Sequence, residues 1–177
     1  MPEKKIALLK KIEGLKIDPI ISAELDIVAK RLEDSGWVIE EPKAPNFQEA
    51  AKFQATLWLG EFRRTGGEAI TKENDPDSNF IYSQMSRRCP DTSLEKFMDS
   101  LQQRARISRE WNKFFDQYPI ILCPITGDVP FPDLKDLESE ESFDLVFDSM
   151  LPQIAPPYMG LPGLSFATCL TKQKIPL

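Results

Sequence analysis

The sequence predicts an α/β fold, with a mixed sheet that contains a β-α-β unit and carries flanking helices. Three observations carry that prediction. The first is a strand, helix, strand order between Lys4 and Glu41. The second is the continuous apolar run "YPIILCPIT", bounded by prolines. The third is a long stretch of helical apolar spacing that follows Ser93. Continuous apolar runs mark strands covered on both faces, the habit of parallel sheets flanked by helices.

Lys4 to Leu9, "KKIALL", reads as the opening strand. After a break at Gly14, Asp18 supplies an N-cap, and Pro19 stands at the first helical position, where its missing N–H costs nothing. Ile21, Leu25, Val28 and Leu32 then recur at helical spacing to form one apolar stripe, and Gly36 closes the helix. "WVIEE" follows as the second strand, so this unit should be parallel. A second helix is expected from Pro45 to Arg64, with Phe47, Ala50, Ala51, Gln54, Leu57, Trp58 and Glu61 on one side. Thr65 to Pro90, rich in Asn, Asp, Ser, Gly and Pro, reads as a surface connection or loosely helical excursion. Ser93 should cap a long helix through Tyr118, burying Leu94, Phe97, Met98, Leu101, Ala105, Trp111, Phe114 and Phe115. "YPIILCPIT" is expected as a central strand whose carboxyl end, Cys123 to Thr126, is where open α/β sheets hold ligands. Pro156 to Leu170, "PPYMGLPGLSFATCL", reads as a turn followed by an apolar strand.

Composition excludes more chemistry than it suggests. At 177 residues, with 41% hydrophobic and 28% charged residues, the chain fits one ordinary folded domain. Its apolar runs are too short for a transmembrane helix, and "MPEKK" lacks the apolar core of a signal peptide, so no membrane is expected and the expected compartment is cytoplasmic. A net charge of -6 argues against a nucleic-acid partner, and the small basic clusters Arg63-Arg64 and Arg87-Arg88 do not overturn it. Three widely spaced cysteines do not make a disulfide framework. The absence of histidine removes Ser-His-Asp and Cys-His nucleophile pairs and every imidazole-dependent metal site. No CxxC pair and no phosphate-cradling glycine loop is present, so no metal and no cofactor is implied.

The remaining candidates weigh toward structural roles. Asp133 to Asp148 is dense in carboxylates and reads as a solvated, partly helical face before a cation or basic-partner site. Asp75, Asp77 and Asn79 have calcium-loop spacing, but Phe80 replaces the required glycine and Ser86 the closing glutamate, so an EF-hand is rejected. Cys123 and Cys169 lie in apolar stretches without an activating base and read as inert thiols. Lys52, Lys96 and Lys113 read as solvated helix residues. Glu61 is either a general base or, more in keeping with its apolar side, a carboxylate bonded to a neighbouring segment or to Arg104 or Arg106.

In order and spacing these elements resemble the C-terminal portion of an amidase-signature enzyme. The matching pieces are Ile6-Ala7 in the first strand, Leu32 to Gly36, Val38 to Pro42, and a helix with an inward glutamate at Glu61. They continue with Arg104 or Arg106, the aromatic "WNKFF" stretch, Cys123-Pro124, and the Gly160-Leu161-Pro162 turn with Ser165. Pro157 stands where the family often has asparagine, and Ala167 where a proline often ends the strand. Nearly the whole chain is covered.

The resemblance implies serine-dependent hydrolysis of small-molecule amides without histidine, the reactive groups being two serines and a lysine in a Gly/Ser-rich segment. This chain has no Ser-Ser pair, and its one Gly-Gly pair, Gly66-Gly67, lies in a charged loop. No residue here inherits a catalytic role. The expectation is therefore a single incomplete domain over 1–177, lacking the catalytic segment before it and a closing strand and helix after it, and inactive alone. Ile125, Thr126, Tyr158 and Gly160 are the expected substrate-pocket residues. The alternative is a catalytically inactive binding or subunit-like module that pairs through its acidic segment or an exposed sheet edge. Self-association through that edge is the expected partner mode.

Overall fold

The structure is a computed structural model that describes residues 4–177. Met1 to Glu3, three of the five residues of the "MPEKK" stretch, lie outside the described residues. Strand β1 (Lys5–Leu8) leads into helix α1 (Pro19–Asp34) and strand β2 (Val38–Glu40). The start of α1 follows from local chemistry. The Asp18 carboxylate accepts the Ile20 N–H at 2.7 Å, and Pro19 opens the first turn. Leu25, Val28 and Ala29 are buried under it. Strands β1 and β2 pair in parallel, Ile6 opposite Ile39.

Helix α2 (Phe47–Thr65) is capped by Asn46, whose side chain accepts from Gln48 N–H at 2.7 Å and Glu49 N–H at 3.4 Å. Phe47, Ala50 and Ala51 are buried as their spacing requires. The stripe then turns toward Leu59, which leaves Trp58 and Glu61 exposed. The expected excursion from Thr65 to Pro90 is two helices, α3 (Gly67–Glu73) and α4 (Pro76–Arg88). Asp75 caps α4 by accepting from Ser78 N–H at 2.8 Å, and Pro76 opens it. This repeats the Asp-Pro signature that begins α1, and a polar composition hid it.

Helix α5 (Leu94–Gln117) starts at Ser93 and buries Trp111 as expected, but its other buried residues are Ser100 and Ile107. Leu94 (73% exposed), Met98 (48%) and Leu101 (41%) remain in water, because α2 and α7 (Leu151–Met159) pack on the other side. Strand β3 (Ile120–Leu122) pairs in parallel with β1, giving the order β2-β1-β3. The apolar run expected as a central strand is thus an edge strand, and Ile120 is 42% exposed. The centre is β1, whose Ile6, Ala7 and Leu8 are buried. The α/β class, the β-α-β unit and the flanking helices are present, and the three strands pair in parallel only. Beyond β3 come a 3-10 turn (Lys135–Leu137) and α6 (Glu140–Ser149).

The proline pair Pro156-Pro157, which precedes the expected Gly-Leu-Pro-Gly turn, lies inside α7. Two interior prolines remove two helix hydrogen bonds. The helix holds because Leu151, Pro152, Ala155 and Tyr158 are buried against α2 and α5. It ends at Gly160, whose φ of 70° is the left-handed conformation that glycine adopts without a steric penalty. The strand expected after it does not form. Residues 161–177 make a single antiparallel bridge, Leu170 to Pro176, and leave Leu164 (88%) and Phe166 (57%) exposed. A strand is defined by its ladder, and among the described residues none runs alongside this segment.

Candidate functional site

Sheet order decides where a ligand would be sought. In an order of β2-β1-β3 the second and third strands are added on opposite sides of β1, so the strand order reverses there, and open α/β sheets bind ligands at the carboxyl ends of such a pair. Here the two following loops close on each other. Leu9 N–H donates to the Leu122 carbonyl at 2.9 Å, Asp18 N–H to Gly127 at 2.8 Å, and Gly127 N–H to Ser149 at 2.8 Å. A Cβ on Gly127 would stand 2.3 Å from the Lys16 carbonyl oxygen, so only glycine permits this approach. Two of the expected pocket residues lie here. Ile125 is 50% exposed, while Thr126 is half-buried and donates its hydroxyl to the Asp128 carbonyl at 2.6 Å. Cys123 precedes them, its thiol pushed up to about 11 by burial. It is an inert side chain under neutral conditions.

The other two expected pocket residues lie at the end of α7. Tyr158 is 1% exposed, stacks on Phe53 and donates its hydroxyl to the Ser100 carbonyl, and burial raises its pKa to about 12. It is a core residue. Gly160 is the exposed cap beside Arg104.

Polar clusters surround the sheet. Lys10, just after β1, bonds Asp26 at 2.7 Å and Glu41 at 2.9 Å; the Asp26 bond first and the Glu41 bond second raise the ammonium pKa. Glu40 bonds Lys5 at 2.8 Å and accepts the Tyr118 hydroxyl at 2.6 Å, and these two bonds in that order lower its pKa. Lys5 also stands 4.9 Å from the Tyr118 ring centre. The cluster ties β2 across β1 to Tyr118, the cap residue of α5 two positions before β3.

The expected inward glutamate is corrected by the arginine it was meant to meet. Arg106 on α5 bonds Glu49, twelve residues before Glu61, and Glu110 at 2.8 Å. Glu49 sits in the first turn of α2, where that helix runs near α5, and Glu61 is left in water. The acidic segment also finds its partners inside the chain. Arg87 reaches Glu140 at 3.3 Å and Asp144 at 2.6 Å; Arg88 reaches Asp144 at 2.7 Å and also bonds Asp148. Arg88 further lies 4.6 Å from the Phe147 ring centre. The Arg87-Arg88 cluster thus clamps α4 to α6. Among the described residues no group of His, Cys, Asp and Glu side chains is placed to hold a metal ion, and no helix is long and apolar enough to cross a membrane.

Sequence reasoning missed an open groove of about 420 Å3 between the end of α2, α3, α4 and the 3-10 turn. Phe62, Ile81, Tyr82, Met85 and Leu137 form its apolar wall, with Asp77 and Asp136 beside them. The spacing of Ile81 and Met85 after an Asp-Pro start was the available signal.

A β2-β1-β3 parallel sheet with a long amphipathic helix before β3 and an Asx-capped helix on each side of it defines the class as an α/β layer fold. Comparison with known proteins resolves it further. A sequence model of the amidase family matches residues 2–177, and the chain belongs to that family. It is 25% identical over 171 residues to the indoleacetamide hydrolase of Bradyrhizobium diazoefficiens, covering 96% of this chain and 33% of that protein. The indoleacetamide hydrolase of Bradyrhizobium japonicum is 24% identical over 160 residues, covering 90% of this chain and 34% of the relative. The chain therefore spans about a third of the length of the curated relatives it matches. Among solved structures, 6-aminohexanoate cyclic dimer hydrolase superposes with a TM-score of 0.69 over 99% of this chain and 40% of its own, at 13% identity. Kluyveromyces lactis allophanate hydrolase gives 0.69 over 99% and 28%, at 14% identity. These two show the same fold.

Proposed function

We propose that this chain is the part of an amide hydrolase that supplies scaffold and one wall of the acyl pocket, while the serine nucleophile, the proton-shuttling lysine and the oxyanion donors belong to sequence outside it. The observation that carries this reading is the family match across residues 2–177 joined to coverage of a third of the relatives, in a chain without a Ser-Ser pair. In the complete enzyme, serine attacks the amide carbonyl, the amine leaves with a proton, and water cleaves the acyl-enzyme. The substrate class is a small-molecule amide, and an arylacetamide is the first to test, given the curated relatives. Ile125 and Thr126 would contribute from the carboxyl end of β3, with Tyr158 and Gly160 supporting the wall from α7. On this reading residues 1–177 are one incomplete domain, and the chain alone turns over nothing.

The test has two arms. The purified chain is incubated with indole-3-acetamide and simple aliphatic amides, and no ammonia release is expected; serine-dependent turnover overturns the inactivity. The DNA before the first codon is then sequenced. A lysine codon and a Gly/Ser-rich reading frame support the fragment reading, and a clean intergenic region with its own promoter favours the alternative, an inactive module. One observation keeps that alternative specific. The acidic segment is engaged by Arg87 and Arg88, so association would run through the outer edge of β3 and the exposed side chains of the 161–177 segment.

A further inference from the structure

We propose that the groove between α2, α3, α4 and the 3-10 turn binds an ammonium ion that carries an aryl or alkyl body. This inference stands apart from the amidase reading and uses none of its residues. The groove, at about 420 Å3, is of a size that suits a small organic ligand. Its wall is aromatic and aliphatic: Phe62 and Tyr82 meet edge to face at 5.8 Å, with Ile81, Met85 and Leu137 beside them. Leu134 completes the wall from a φ of 57°, a conformation a leucine rarely adopts, and its side chain is 59% exposed.

The sign of the ligand follows from the charges. Asp77 and Asp136 both line the groove, and among the described residues neither forms an ion pair. Four of the nearby cations are engaged elsewhere, Arg63 with Asp91 at 3.9 Å and the Cys89 carbonyl, Lys135 with Glu138, Arg87 and Arg88 with the carboxylates of α6, and Lys72 lies in the adjoining hollow that Tyr82 shares with Arg63 and Glu68. The N-terminus of α4 would ordinarily favour an anion. Here the chain's own carboxylates occupy it, Asp75 as the cap and Asp77 in the first turn. The two aromatic rings add the attraction of a π-face for a cation. An apolar cation satisfies the wall and gains the attraction of both carboxylates, a neutral molecule gains only the wall, and an anion is repelled.

The probe is 2-phenylethylammonium chloride, titrated into the purified chain with 1H–13C NMR of the Ile, Leu and Met methyl groups. Saturable shifts are expected at Ile70, Ile81, Met85, Leu134 and Leu137. The neutral isostere 2-phenylethanol should bind at least about tenfold more weakly to the unaltered chain, and the Asp77→Asn/Asp136→Asn double variant should lose about tenfold for the cation. Absence of saturation, shifts confined to other methyl groups, or equal binding of the alcohol and the cation each overturns the proposal. The comparison of the two ligands on the unaltered chain makes the outcome independent of how the double variant folds.

Discussion

Trp111 is the largest fully buried side chain, 0% exposed, packed against Phe47 at 4.6 Å and Phe114 at 5.8 Å. Its indole N–H has no acceptor among the described residues. These two facts pull a Trp111→Phe substitution in opposite directions. Replacing indole by phenyl leaves a void of roughly 40 Å3, which at about 24 cal/mol per Å3 costs about 1 kcal/mol. The lost apolar area costs about 1 kcal/mol more. Against this, an unsatisfied buried donor is removed, which returns about 1–3 kcal/mol. The terms nearly cancel, so Trp111→Phe should change stability by less than about 1 kcal/mol, whereas Trp111→Ala should lose about 3–5 kcal/mol. Urea unfolding followed by far-ultraviolet circular dichroism, with equal slopes for all three proteins, measures both. A loss of about 3 kcal/mol or more in the phenylalanine variant would refute the reasoning, because the indole N–H would then have to be bonded and favourable.

Three further outcomes follow from local geometry. Asn46→Ala removes the acceptor for the Gln48 and Glu49 N–H groups and should cost about 1 kcal/mol in the same urea assay. Arg88 and then Arg87 hydrogen bonds hold the Asp144 carboxyl below its ordinary range. A depressed folded-state pKa contributes stability that is present above the unfolded carboxylate pKa and is lost as pH falls through the folded value. Acid unfolding of an Arg87→Ala/Arg88→Ala variant should therefore begin at higher pH than that of the unaltered chain. Cys123, with its thiol near 11, should label with a thiol reagent at pH 8 far more slowly than Cys89, an ordering that peptide mapping reads directly.

How far the fold was legible depended on how local its cause was. The first β-α-β unit could be read because Asp18, Pro19 and the Leu25–Val28 spacing act within a few residues of one another. The same logic placed Ser93 at the start of α5 and Asn46 within one residue of the expected start of α2. Helix α4 is equally local in origin, with Asp75-Pro76 at its start, but its polar composition masks the cap. Which apolar side is buried was not local. Leu94, Met98 and Leu101 form a regular stripe, yet water covers them, because burial is decided by where α2 and α7 lie.

The site follows the same division. Ile125 and Thr126 were expected at the carboxyl end of a strand from the apolar run before them, and they lie in the loop three and four residues past the end of β3. Tyr158 and Gly160 were expected at the end of a second strand, and instead Tyr158 closes the core from inside a helix and Gly160 caps it. The partners of charged groups lie outside the reach of sequence: Arg106 meets Glu49 across 57 positions, and Arg88 meets Asp144 across 56. Composition and short-range pattern by themselves determined the α/β class, the caps, the chemistry excluded by the lack of histidine and the family likeness. Only the tertiary structure decided that β3 lies at an edge, that the acidic segment is clamped from within and that residues 161–177 form no ladder. Caps and periodicity arise from backbone hydrogen bonds and side-chain spacing along the chain, whereas burial, ion pairing and strand ladders each need a second segment in place.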